Sequence, residues 1–272
     1  MMSAHGAPRG KPRHLAAEYA AQFGDEEIAA AYRYRPPYPP ETFVIVERLL
    51  GTPPRLVLEL GAGTGDFTIG LAPRVEELIA LEPSAPMRER GLARTATLSH
   101  RVTWLATTAE DYGFDRRYSA VVAAEAIHWL DWDHVLPRIG ASLVPGGHLI
   151  LVERKLAEPP PWDERLQALI RGYSTNRDYI PYDMATELET RGLIVVGRQV
   201  RTDAVLHRQT CDDYIESFHS RNGFSRARLQ PARAREFDNE LKTLLDPLCP
   251  DGTVQLSVQV RIAWGRPVDH RF

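Results

Sequence analysis

An apolar run, Arg55-Leu-Val-Leu-Glu-Leu60, stops abruptly on Gly61-Ala-Gly63-Thr-Gly65, and four more short apolar runs follow it. This rhythm constrains the chain more than any other feature. The later runs, Glu77–Pro83, Val102–Glu110, Tyr118–Ala126 and Gly147–Arg154, have strand length and are rich in aliphatic residues, as strands buried on both faces are. Between them, 64–73, 84–96 and 131–143 have helix length. Strands separated regularly by helices need right-handed crossovers, which predicts an α/β fold: a doubly wound parallel sheet with helices on both faces.

Outside this stretch the rhythm changes. Residues 1–14 carry no apolar segment and read as a disordered tail; 15–32 read as helix, Tyr32–Pro40 as an extended proline-stiffened crossing, and 41–50 as helix closed by Gly51 and Pro53. Beyond Arg154, helices are expected near 163–173, 183–191, 211–220 and 231–247, with strands at Ile194–Leu206 and Thr253–Gly265. The last strand alternates apolar and polar residues, which suits a strand near a sheet edge. Residues 15–272 thus read as one domain, with elements from about 15–50, 156–192 and 207–250 forming a helical cap or lid.

Composition removes several function classes. At 272 residues the chain can bury a full core, and 43% hydrophobic with 25% charged residues is ordinary for a globular protein. A net charge of −3 gives no basic excess for a nucleic-acid partner. No window reaches the 18 or so apolar residues of a membrane span. Cys211 and Cys249 are the only cysteines, so neither a disulfide framework nor a thiolate zinc site is indicated, and a reducing, cytoplasmic setting is the default.

The loop Glu59-Leu-Gly61-Ala-Gly63-Thr-Gly65-Asp66 lies between a strand and a helix, where missing Cβ atoms let a ligand approach the backbone. A dinucleotide site would want its third glycine at position 66, but Asp stands there, and the acids at 59 and 66 would repel a diphosphate. Glu82, about 20 residues beyond the first glycine, ends the second strand where a carboxylate can accept both ribose hydroxyls of a nucleoside.

The spacing G-x-G-x-G after an acid resembles the first motif of class I S-adenosylmethionine-dependent methyltransferases. Leu143-Val-Pro-Gly-Gly147 resembles the turn before that family's fifth strand. The strings Tyr34-Arg-Pro-Pro-Tyr-Pro39 and Ala126-Ile-His-Trp-Leu-Asp131 are similar to ones in its small-molecule branch, which includes trans-aconitate methyltransferase-like and natural-product enzymes. The resemblance covers about 30–155 well and the remainder loosely. It departs at Thr108, where many relatives carry Asp before Ala109 and Glu110, and at Ser119, where many carry Asp.

The resemblance implies a Rossmann-like seven-stranded sheet with its last strand antiparallel, and S-adenosyl-L-methionine as cofactor. It implies cofactor contacts from Tyr34, Arg35, Glu59, Gly61, Ala62, Gly63, Gly65, Glu82, Pro83, Met87, Thr108, Ala109, Glu110 and Glu125. Arg35 would pair with the cofactor carboxylate, and 108–110 would meet the adenine. Glu125 and His128, at the exit of the fourth strand, are the catalytic candidates, since imidazole suits a general base. A metal held by His128, Asp131 and His134 is set aside, because the tight His-x-x-x-His spacing is absent and Asp131 suits a helix cap. Trp129 and Trp132 read as packing or pocket wall, and Tyr173, Tyr179, Tyr182, His207, Tyr214 and His219 as lid residues. The Arg-rich run Ser220–Arg235 reads as a solvated face, with an Arg that recognises an anionic substrate as the alternative.

The implied reaction is methyl transfer to an oxygen or nitrogen of a small molecule, without nucleic acid or membrane. Rival readings are a peptide or RNA methyltransferase, a cofactor-binding protein without transfer, and a nucleotide-dependent oxidoreductase. The sequence specifies neither the acceptor nor an oligomeric state.

Overall fold

The computed structural model describes residues 11–12, 15, 21–180 and 182–268. The expected tail lies outside them except at 11 and 12, as does the part of the first expected helix over 16–20. Lys11 already donates to the Leu130 carbonyl at 3.0 Å, and Leu15 is buried in the core. Within its described residues, the expected helix 15–32 contains α1 (Glu26–Ala31), capped by Asp25, with 3-10 turns on either side. After the proline-stiffened crossing comes α2 (Glu41–Leu49).

Five parallel strands form as the sequence predicts: β1 (Leu56–Leu60), β2 (Glu77–Leu81), β3 (Val102–Leu105), β4 (Tyr118–Ala124) and β5 (Leu143–Leu156). Alternate residues of β1 serve opposite layers, Val57 on one face and Leu58 and Leu60 on the other, because successive Cβ atoms point to opposite sides of a sheet. One layer is closed by α5 (Trp132–Ser142) and α7 (Met184–Thr190), the other by α2 and α3 (Thr68–Leu71). Between β2 and β3 runs α4 (Ala85–Arg94). Asp131 does cap α5, accepting from the His134 amide.

The sheet order is β3-β2-β1-β4-β5-β8-β6, with β7 also on β8 (Thr253–Pro267). β8 runs antiparallel to its neighbours, as the resemblance implied, and lies one strand in from the edge, with buried and less buried residues alternating along it. The edge belongs to the expected strand Ile194–Leu206, which is two strands: β6 (Ile194–Arg201) and β7 (Val205–Thr210). At the break Thr202 keeps hold of β8 through its amide and hydroxyl, both bonded to the Val260 backbone at 2.9 and 3.0 Å. Among the described residues the sheet therefore has eight strands where the resemblance implied seven.

The first half of β8, paired with β7, carries the sheet under the cap. There Val254, Leu256 and Val258 pack with α6 (Asp163–Tyr173), α8 (Cys211–Phe218) and α10 (Pro231–Leu245), which follows the short α9 (Arg226–Leu229). The cap has its own aromatic core around Phe218, Phe224 and Phe237. Among the described residues no helix is long and apolar enough to cross a membrane.

Candidate active site

The strand order reverses between β1 and β4, and an open α/β sheet binds ligands at that switch point, beyond the carboxyl ends of its strands. A cavity of about 420 Å³ lies there. Its floor is the glycine loop: Gly61 and Gly63 have φ of +63° and +57°, and a Cβ on Gly61 would come within 2.9 Å of Ala126. Glu82 is pinned at the end of β2, its two oxygens accepting from the Gly63 and Ser84 amides at 2.8 Å each. Burial still raises its carboxyl above the ordinary range. The same carboxylate lines the cavity, where its remaining lone pairs suit ribose hydroxyls.

Glu59, on β1, is buried and accepts from the Thr68 hydroxyl at 2.8 Å. Burial outweighs that bond and pushes its carboxyl up to about 8. Thr107, Thr108, Ala109 and Glu110 form the opposite rim. The Thr108 hydroxyl is committed to the turn, donating to the Asp111 carboxylate at 2.9 Å and accepting from its amide. Glu110 accepts from the Asp131 amide at 2.7 Å, which ties the rim to the start of α5.

Glu125 has φ +53°, a left-handed conformation unusual for this side chain and typical of constrained functional positions. It accepts from the Arg154 amide at 3.0 Å and the Arg154 guanidinium at 2.8 Å, with Arg35 at 3.6 Å. Burial alone would raise its carboxyl, but the two guanidinium groups hold it down to about 2. Arg154 in turn donates to the Pro36 carbonyl and lies 4.4 Å over the Tyr38 ring.

A second cavity, about 410 Å³, lies under the cap. It shares a wall with the first made of Phe23, Tyr32, Arg35, Glu125, Trp129 and Arg154. His128 faces this second chamber, tilted against Trp129 at 4.6 Å and edge-on to Tyr182. Its burial beneath the cap drives its pKa down to about 3.

Among the cofactor candidates, Arg35, Glu59, Gly61, Ala62, Gly63, Glu82, Pro83, Thr108, Ala109, Glu110 and Glu125 line the first chamber. Three do not. Tyr34 points away, its hydroxyl accepting from Arg33; Tyr32 and Tyr38 line the wall instead, because the 3-10 turn at 32–34 rotates the segment. Met87 is buried against Ile28 and Ala29 beneath the N-terminal arm. Gly65 faces α4, where a Cβ would stand 3.3 Å from the Gly91 Cα. Of the catalytic candidates, Glu125 lines both chambers and His128 the second, and their surroundings hold both below their ordinary proton affinity. Residues missed by sequence reasoning are Phe23, Tyr32 and Arg154, whereas Tyr38 lies in the string Tyr34–Pro39 and Arg221 in the Arg-rich run already singled out. For Arg154 the available signal is an Arg ending an otherwise apolar strand.

The first chamber is acidic: Glu59, Asp66, Glu82, Glu110 and Glu125 face two cations, Arg35 and Arg154. An acidic, glycine-floored chamber with a ribose-type carboxylate fits a nucleoside carrying a sulfonium and an ammonium, and so fits S-adenosylmethionine.

Comparison with known proteins agrees. Residues 57–147 match the family described as "Methyltransferase domain". An uncharacterized methyltransferase of Mycobacterium tuberculosis is 36% identical over 143 residues, covering 53% of this chain and 56% of that protein. The chain thus spans about half the length of the curated relatives it matches. A probable S-adenosylmethionine-dependent methyltransferase of Saccharomyces cerevisiae is 26% identical over 125 residues, 44% of this chain and 43% of that one. In fold, the chain resembles an S-adenosylmethionine-dependent methyltransferase from Geobacter sulfurreducens solved with S-adenosyl-L-homocysteine. The TM-score is 0.52 at 17% identity, over 89% of this chain and 96% of that one. Residues 57–147 thus match a methyltransferase domain, and the strand order around the acidic chamber is the fold of an S-adenosylmethionine-dependent methyltransferase.

Proposed function

We propose that the chain transfers the methyl group of S-adenosylmethionine to an oxygen or nitrogen of a small molecule held under the cap. The observation that carries this is the pair of chambers of similar volume meeting at one wall. Glu82 would hold the ribose, Glu59 the ammonium end and Arg35 the carboxylate, leaving the methyl near the shared wall. Bound there, the cofactor supplies an electrophilic methyl: its C–S bond breaks with the electron pair staying on sulfur as a C–O or C–N bond forms, and any proton on the acceptor passes to solvent. The chain's contribution is alignment and exclusion of water by the cap. Burial of the His128 imidazole and the guanidinium groups beside Glu125 lower their proton affinity, which favours an acceptor atom whose lone pair is already free at neutral pH. A cap chamber of about 410 Å³ suits a small molecule better than a polymer chain.

Isothermal titration tests this reading. S-adenosylhomocysteine should bind, Glu82→Gln should weaken it about tenfold or more by removing a charged acceptor, and NAD should not bind. Binding of NAD in place of S-adenosylhomocysteine would overturn it.

A further inference from the structure

The two chambers carry opposite charge. In the second, Arg35, Arg154, Lys155 and Arg221 face two carboxylates, Glu125 and Glu153. Three of the four cations are engaged: Arg154 on Glu125, Lys155 with Glu153 at 3.8 Å, and Arg35 on Ser220 at 2.8 Å as well as near Glu125. Arg221 differs. Among the described residues no carboxylate lies within ion-pair reach of it; its guanidinium rests 3.9 Å over the Phe218 ring and lines the chamber.

Its backbone is built firmly into the cap. The Arg221 amide donates to the Phe218 carbonyl at 2.8 Å, and the Phe224 amide returns to the Arg221 carbonyl. Gly223, at φ +89°, lets this turn lie against 174–176, since a Cβ there would strike the Ser174 hydroxyl at 2.6 Å. The remaining walls are largely rings, with Trp129, Tyr179, Tyr182, Phe218 and Phe224 contributing. A guanidinium stacked on one face keeps its planar fork of donors, which matches a carboxylate or similar oxyanion. Burial lowers the proton affinity of Arg221, consistent with a cation held from water without a counterion.

We propose that the methyl acceptor is a flat aromatic monoanion, its anionic group paired with Arg221 and its ring set among the aromatic walls. The proposal rests on the methyltransferase reading above and names the substrate class of that site. One uncommitted cation calls for one negative charge, and the ring walls select against an aliphatic polyanion.

Titration of the full chain, saturated with S-adenosylhomocysteine, tests it with three probes: 2-naphthoate, neutral 2-naphthol and propane-1,2,3-tricarboxylate. 2-Naphthoate should bind about tenfold or more tighter than either other probe, as expected for a charge-assisted pair in a partly desolvated site. Arg221→Gln should lose that preference while binding S-adenosylhomocysteine as the parent does, and Arg221→Lys should recover part of it. Equal binding of naphthoate and naphthol, tighter binding of the tricarboxylate, or no naphthoate binding to the loaded protein would overturn the proposal. The probe comparison on the parent chain stands even if Arg221→Gln fails to fold. Failure of S-adenosylhomocysteine itself to bind would instead overturn the methyltransferase reading.

Discussion

Glu59 is where burial and ligand binding oppose each other. With its carboxyl pushed up to about 8, it is largely protonated at pH 7 before any ligand arrives. The unfolded carboxyl ionises near ~4.3, so the stability contributed by the protonated form is fully present below that pH and is lost as pH rises through about 8. An ammonium group placed beside Glu59 favours the charged form and expels its proton. Titration of S-adenosylhomocysteine at pH 7, in two buffers of different ionisation enthalpy, should therefore show release of about one proton. Glu59→Gln should release none, and an unchanged proton count would rule this role out. Single residues differed in how readable they were. Glu59 and Glu82 stood at fixed distances from a recognisable glycine loop, so their place could be read. Arg154 could not: only the pairing of Ala124 with Val152 sets it beside Glu125, and that register is a property of the assembled sheet. Arg221 could be read only as one member of an Arg-rich run.

Between elements, the glycine loop serves packing as much as ligand. Gly65 and Gly91 bring the loop and α4 together under the Trp104 ring, whose indole nitrogen donates to the Thr95 hydroxyl at 3.0 Å. A Cβ on Gly91 would stand 2.2 Å from that ring, which Gly65 and the Thr95 bond hold from the other sides. Gly91→Ala should therefore cost about 1–3 kcal/mol despite its better helix propensity, lowering Tm by about 2–4 °C per kcal/mol in a domain of this size. Scanning calorimetry checks it, and an unchanged or raised Tm would mean the ring can move aside. The parallel strands were legible because short, mostly apolar runs separated by helix-length segments have few alternatives. The break between β6 and β7 was not, because Thr202 replaces strand pairing with a side-chain bond that leaves no mark on hydrophobic periodicity. The last strand's alternation marked one buried and one wetter face of a strand beside the sheet edge, though not that its buried face passes from cap core to sheet core.

For the whole molecule, the cap and the sheet have separate hydrophobic cores, joined covalently through β5, β7 and β8 and across the chambers by few side chains. Arg35 is the main tie. Its guanidinium donates to the Ser220 hydroxyl at 2.8 Å and carbonyl at 2.6 Å in the cap, stacks 4.0 Å over Tyr32 in the N-terminal arm, and faces Glu125 at the end of β4. Three parts of the fold thus meet on one planar group at the wall the chambers share, so cap position and charge at the reaction centre are set together. Lysine would keep the charge but lose the fork that spans these partners. Removing two hydrogen bonds, one of them to a buried hydroxyl, costs about 1–3 kcal/mol locally, or roughly ten- to a hundredfold in the opening equilibrium. Arg35→Lys should accordingly speed amide hydrogen exchange in the cap turn at 217–224 by about that factor, while amides of β1 and β4 exchange as in the parent. Acceleration spread evenly over sheet and cap would mean that Arg35 supports the fold generally. No acceleration would mean that the cap is held by its own β-strand connections, and that Arg35 serves only the ligand in the first chamber.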